Sequence, residues 1–133
     1  AARPFLKDSG KGAVICMSST GAVEEFMGVQ PYNAMKAAVM AYSAALSQTL
    51  AADGIRVNCI TPGPVWTDDG PWVHIKENMT EFYDSIVSQI PLGTLTQGAD
   101  IAKTIAFVAS PASMGMTGAN IVVDGGLTKR IQF

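Results

Sequence analysis

Tyr32 and Lys36 stand four residues apart in the segment Tyr32-Asn-Ala-Met-Lys36. On a helix that spacing puts both side chains on one face. A phenol ordinarily titrates near pH 10, too high for proton exchange at neutrality, and an adjacent ammonium favours its phenolate form. The pair is therefore a candidate acid/base; taken alone, it also fits a surface pair. Ser19, thirteen residues before Tyr32, offers a hydroxyl able to hold a carbonyl oxygen as negative charge develops on it. Ser18 is expected to point elsewhere, and a serine at a strand end also serves as a simple cap. A third candidate is Asn58-Cys-Ile-Thr-Pro62-Gly63-Pro-Val65-Trp-Thr67. Pro62 fixes the chain path there, and the Val65 backbone with the Thr67 hydroxyl suits a flat, amide-bearing ligand. An ordinary strand-to-loop turn fits the same residues.

These groups need elements to carry them. Gly12 to Ser18 is an apolar run without polar alternation, the pattern of a strand buried on both faces in a parallel sheet. Tyr32 to Ala52 is built from good helix formers and stops at Asp53-Gly54. Its apolar residues run nearly all the way round, so one face is expected on a sheet and another against further protein, such as a second subunit. Ile55 to Thr61 reads as a second buried strand, closed by Pro62-Gly63. Strand, helix, strand in this order implies a parallel crossover. Ser19, Tyr32 and the Pro62 to Thr67 turn then meet at the carboxyl ends of the strands, where open α/β sheets bind ligands. Residues 64 to 97 are broken by prolines and read as a loop with a short helix from about Thr80 to Gln89. A helix over Asp100 to Ser110 and a strand over Asn120 to Asp124 complete an α/β chain.

Composition excludes other classes. Hydrophobic residues make up 48% of the 133 and charged ones 15%, which rules out a disordered tail. Nine basic residues against eleven acidic ones form no stripe to neutralise phosphates, so no nucleic acid is expected. No apolar stretch reaches membrane-spanning length, because Ser43, Ser47 and Gln48 interrupt the longest. Cys16 and Cys59 sit in apolar runs, which suits buried thiols in a reducing, cytoplasmic compartment. His74 has no metal-ligand cluster around it, so no metal is expected. Trp66, Trp72, Met79, Phe82 and Tyr83 suit either a mobile lid over substrate or packing against the body. Asp68 and Asp69 read as a solvated turn.

Four motifs in order, Ser18-Ser19, YNAMK, NCITPGPVWT and TGANIVVDGG, span Gly12 to Gly126. Together they resemble the short-chain dehydrogenase/reductase family. The resemblance implies a three-layer, Rossmann-like parallel sheet and an oxidoreductase using NAD or NADP on a carbonyl or secondary alcohol. It implies Tyr32 as general acid/base, Lys36 as its helper and ribose ligand, and Ser19 as the residue orienting the substrate oxygen. Pro62 and Gly63 would shape the turn whose Val65 and Thr67 hold the nicotinamide carboxamide. Enoyl reductases of this fold have a longer spacer between Tyr and Lys than the three residues here, which favours carbonyl or alcohol chemistry. The long helix and last strand resemble surfaces through which family members form homo-oligomers.

One departure is large. The family's glycine-rich pyrophosphate fingerprint is absent from the 133 residues, as are GxGxxG and a P-loop. Residues 1–133 are therefore expected to be the C-terminal catalytic half of a longer domain, of about three strands, without the dinucleotide-binding half and inactive alone. Ala1 to Lys7 has neither the charged start nor the apolar middle of a signal peptide. The first strand would then present an open edge, inviting either the missing half or another copy of the chain. A noncatalytic oligomerisation or binding module is the rival expectation.

Overall fold

The computed structural model describes residues 1–25 and 28–131. Three strands, β1 (Ala13–Met17), β2 (Arg56–Pro62) and β5 (Asn120–Val123), form one parallel sheet in the order β1-β2-β5. Cys16 is in register with Cys59, and Ile60 with Ile121. Central β2 is buried along its whole length. Strand alternation sends Val14, Cys16 and Val57 to one face, where they pack with Leu46 and Leu50 of helix α2 (Pro31–Leu50) and Leu6 of α1 (Arg3–Asp8). Ile15, Met17 and Ile60 go to the other face, against Ile101, Ile105 and Val108 of α5 (Gly98–Ala109). Helix, sheet and helix make the three layers expected of continuous apolar strands.

Beside Leu46 and Leu50, helix α2 also buries two small polar residues. Ser43 and Ser47 are buried, and the Ser47 hydroxyl is satisfied by donating to the Ala44 carbonyl at 2.7 Å. Other large residues of the helix face outward, with Met35 67% and Tyr42 62% exposed. Among the described residues β1 has no strand partner on its side away from β2. No helix among them is long and apolar enough to cross a membrane.

The proline-rich stretch holds more structure than its sequence suggests. Besides α4 (Thr80–Gln89), which lies where expected, it contains α3 (Pro71–Asn78). Pro71 there is a helix start and not a break, because a proline in the first turn gives up an amide that has no helical partner anyway. A two-residue parallel pair, β3 (Val65–Trp66) with β4 (Thr96–Gln97), fastens the turn after β2 to the start of α5. Trp72, Ile86, Ile90, Leu95 and Leu127 form a separate core, with Trp66, Phe82 and Tyr83 packed against it. Four of the five candidate lid residues thus pack together, while Met79 remains 54% exposed. Asp68 and Asp69 lie in an exposed turn, and His74 is exposed on α3, hydrogen-bonded to Asn78.

The start of β2 is fastened by polar groups. The Arg56 guanidinium is buried and donates to the Val108 carbonyl at 2.8 Å, Ser110 carbonyl at 3.1 Å and Ser113 Oγ at 3.1 Å, and also to the Ala109 and Met116 carbonyls. It serves as the cap of α5, placing a cation at a carboxyl terminus whose carbonyls lack helical partners. Two residues on, buried Asn58 donates to the Met116 carbonyl at 2.8 Å and accepts from the Ala119 amide at 3.0 Å, leading the chain into β5.

Candidate active site

Helix α2 begins with Pro31 in its first turn, after extended Gln30, so Tyr32 and Lys36 are held on the first two turns. Lys36 is stitched twice to the end of β1. Its carbonyl accepts from Ser18 Oγ at 2.9 Å, and its Nζ donates to the Met17 carbonyl at 3.0 Å. The same Nζ lies 5.6 Å from the centroid of the Tyr32 ring, within reach of a cation–π interaction. Ser18 is buried in that stitch. Ser19, next along the chain, is extended and caps the 3-10 turn Thr20–Ala22, its Oγ accepting from the Gly21 amide at 3.3 Å. A side chain on Gly21 would put its Cβ 2.5 Å from Asn33 Oδ1, so glycine lets that turn close on the start of α2.

The opposite wall is the turn after β2. Gly63 donates its amide to the Val123 carbonyl at 3.0 Å, and a Cβ on it would lie 2.7 Å from that of Asp124. The Pro62-Gly63 turn thus crosses directly over the turn after β5. That second turn is organised by the buried Asp124 carboxylate, which accepts from the Gly126 amide at 2.9 Å and the Thr128 amide at 2.8 Å. Gly125 and Gly126 supply the positive φ it needs, +66° and +89°.

Between these walls lies a cleft with two lobes. One, of about 310 Å³, is lined by Pro62, Val65, Thr67 and Pro71. The other, of about 170 Å³, is lined by Thr20, Gly21, Gln30, Asn33 and Pro64. Ser19, Tyr32, Gly63 and Trp72 border both. Of the seven residues singled out by motif, Ser19, Tyr32, Pro62, Gly63, Val65 and Thr67 line one cleft, and Lys36 stands behind Tyr32 without lining it. Pro71 borders the site with no sequence signal beyond its proximity to the Pro62 to Thr67 turn, and Trp72, one of the candidate lid residues, borders both lobes. Tyr32 is 53% exposed, so its ring is open to a ligand.

The larger hollow, about 470 Å³, lies elsewhere, between Met40 and Ser43 of α2, Cys59, Asn120 and Arg130. Burial pushes the Cys59 thiol up, which keeps it protonated and a poor nucleophile. That hollow therefore lacks the acid/base and hydroxyl pairing of the smaller cleft. No group of three or more His, Cys, Asp or Glu side chains able to hold a metal ion occurs among the described residues.

Residues 1–128 match a family model described as enoyl-(acyl carrier protein) reductase. An isoepoxydon dehydrogenase of Aspergillus clavatus is 37% identical, the alignment covering 100% of this chain and 52% of that protein. A tropinone reductase homolog of Arabidopsis thaliana is 34% identical over 96% of this chain and 47% of its own length. Among solved structures, L-sorbose reductase from Gluconobacter frateurii, complexed with NADPH and L-sorbose, superposes with a TM-score of 0.83 at 30% identity, over 97% of this chain and 52% of that one. The TT0495 protein from Thermus thermophilus superposes with a TM-score of 0.86 at 29% identity, over 96% and 53%. The chain spans about half the length of the curated relatives it matches.

Proposed function

The chain belongs to the short-chain dehydrogenase/reductase family, and from that premise we propose that it supplies the catalytic half of an oxidoreductase moving hydride between a nicotinamide cofactor and a carbonyl or secondary-alcohol carbon. The observation carrying this reading is the convergence of Ser19 and Tyr32 with Pro62, Gly63, Val65 and Thr67 on one open cleft at the carboxyl ends of the strands. The donor set fits the nicotinamide end of such a cofactor: a threonine hydroxyl and turn backbone on one side, a phenol on the other. It fits that end only, since no glycine-rich phosphate loop occurs in the sequence. Bound in the 310 Å³ lobe, NAD or NADP would supply or accept the hydride.

The chain's own residues do the rest. Ser19 Oγ already accepts from Gly21, so its hydroxyl proton is directed to another partner, the substrate oxygen, where it stabilises growing negative charge. Tyr32 Oη gives that oxygen a proton during reduction and takes it back during oxidation. Lys36, tied to Met17, holds a positive charge beside the phenol ring and would be the residue to hold the cofactor's ribose. The turn over Asp124 keeps Val65 and Thr67 in place for the carboxamide.

Three residues separate Tyr32 from Lys36, which supports carbonyl or alcohol chemistry over the carbon–carbon double-bond reduction in the matching model's description. The relatives' names point the same way, being those of an isoepoxydon dehydrogenase, a tropinone reductase homolog and an L-sorbose reductase. The open edge of β1 is where a dinucleotide-binding half would pair, and the outward Met35 and Tyr42 of α2 are where a second copy would pack. Turnover of ketones by the full-length protein with NADH or NADPH tests the reading. Tyr32→Phe should lower kcat by about a thousandfold, within the range for a lost general acid. Activity within about tenfold of the parent would contradict the acid/base role, and turnover of enoyl thioesters in place of ketones would replace the reaction class.

A further inference from the structure

Two buried serines of helix α2 differ in one respect. Ser43 and Ser47 are 2% and 1% exposed and, four residues apart, share one face of the helix. The Ser47 hydroxyl donates to the Ala44 carbonyl at 2.7 Å, whereas Ser43 has no hydrogen-bond partner among the described residues. No fully enclosed side-chain oxygen among those residues is left unpaired. The Ser43 hydroxyl therefore opens on the space it borders, the 470 Å³ hollow between α2 and β5. A buried hydroxyl without a partner is costly and uncommon unless something outside the chain pairs with it.

The rest of the lining says what that partner carries. Among the described lining residues Arg130 alone bears a formal charge. Its guanidinium donates to the Val23 carbonyl and has no carboxylate within ion-pair distance among the described residues, so most of its five donors remain. The Asn120 side-chain oxygen accepts from the Thr61 hydroxyl, which leaves that amide its N–H groups to offer. Glu24 and Lys129 border the neighbouring hollow instead, the Lys129 amide donating to the Glu24 carboxylate at 3.0 Å, and put one charge of each sign there. The other walls are Met40, Val23, Ala44 and the Cys59 thiol, which burial keeps neutral.

Donors gathered around one planar guanidinium suit a carboxylate. A phosphate, with nearly two negative charges, exceeds the single cation facing it. The volume lies within the roughly 300–1,000 Å³ of small-molecule sites, and the apolar walls suit a hydrocarbon body.

We infer that the hollow between α2 and β5 is a second ligand site, taking a monocarboxylate whose charged end lies between Arg130 and the Ser43 hydroxyl and whose apolar body runs along Met40 and Ala44. The site shares no lining residue with either lobe of the cleft. The open edge of β1 is on the other side of β2 from β5, and the outward Met35 and Tyr42 of α2 do not line the hollow.

Calorimetry of the full-length protein at low ionic strength tests this with octanoate, octan-1-ol and octylammonium. One octanoate should bind per chain, about tenfold more tightly than octan-1-ol, with octylammonium no better than the alcohol, the margin of charge-assisted hydrogen bonds. Arg130→Gln should bring octanoate to the level of the alcohol, and Ser43→Ala should weaken it by about threefold to tenfold. Tyr32→Phe should leave octanoate affinity unchanged. Should a variant fold poorly, the ranking of the three probes on the parent protein decides. No octanoate binding up to about 10 mM overturns the inference. So does an alcohol bound as tightly, an affinity unmoved by Arg130→Gln, or binding lost in Tyr32→Phe. Octanoate binding that emerges only as an oligomer dissociates on dilution would give the hollow to a second copy, and overturns it as well.

Discussion

The two ends of strand β2 are made from similar residues and do opposite things. At its start, Arg56 and Asn58 are buried, and their polar groups are spent on carbonyls and amides of the chain itself. At its end, Thr67, with Tyr32 and Ser19 across the gap, borders open space. Two cations mark the contrast. Arg56 makes five hydrogen bonds that close helix α5 onto the sheet, whereas Lys36 makes one to β1 and keeps its charge beside a half-exposed phenol. A polar residue in an apolar run is thus structural where its bonds end within the protein, and a reaction group where the fold leaves it a bond to make.

Breaking the fastened end should have the largest effect on the fold. Arg56→Met strips buried carbonyls of their donor and should cost about 3 kcal/mol of unfolding free energy, the upper range for buried acceptors left unpaired. Urea denaturation measures it, and a loss under about 1 kcal/mol would mean that water replaces the guanidinium. The open end should respond in the opposite way. Ser19→Ala in the full-length protein should lower kcat by about a hundredfold, as for removal of one donor from a developing oxyanion, with stability little changed. Its neighbour sharpens the comparison: Ser18→Ala, which cuts the bond to the Lys36 carbonyl, should lower stability by about 1 kcal/mol. If the two serines exchange these effects, the assignment of Ser19 to the substrate fails.

The smallest effect lies farthest from both ends. Hydrogen bonds from Lys7 and Arg3 hold the Asp53 carboxyl below its ordinary value and dock α1 against the end of α2. A carboxyl lowered by folding stabilises the folded chain above its unfolded pKa and loses that contribution as pH falls through the folded one. Amide-exchange protection in residues 3–8 should therefore persist at neutral pH and fall below about pH 4. Protection unchanged down to about pH 2 would show that Leu6 packing alone holds the helix.

Much of the architecture was legible because burial on both faces writes itself into sequence. The apolar runs around Ile15, Ile60 and Val122 could only be inner strands once turn signals bounded them, and the long helix followed from its composition. The cleft was legible because Ser19, Tyr32 and the Pro62 to Thr67 turn all follow strand ends or begin a helix, which topology brings to one edge. Other features depend on distance in the chain. The β3–β4 pair is two residues on each side and unites Val65 with Thr96; nothing local in either dipeptide specifies it. Helix α3 was hidden by a proline whose meaning reverses with its position in the first turn. The capping role of Arg56 requires knowing that Val108 to Ser110 ends beside it, and the stitch from Lys36 to Met17 is invisible to a spacing rule that fixes only which face a side chain occupies.

The most direct test is a crystal structure of the full-length protein with a nicotinamide cofactor and an unreactive analogue of a ketone substrate. The analogue's carbonyl oxygen is expected within about 2.6–3.2 Å of both Ser19 Oγ and Tyr32 Oη, with the carboxamide against Val65 and Thr67. A carbonyl oxygen bound away from both hydroxyls, or a nicotinamide lying outside the Pro62 to Thr67 turn, would contradict it.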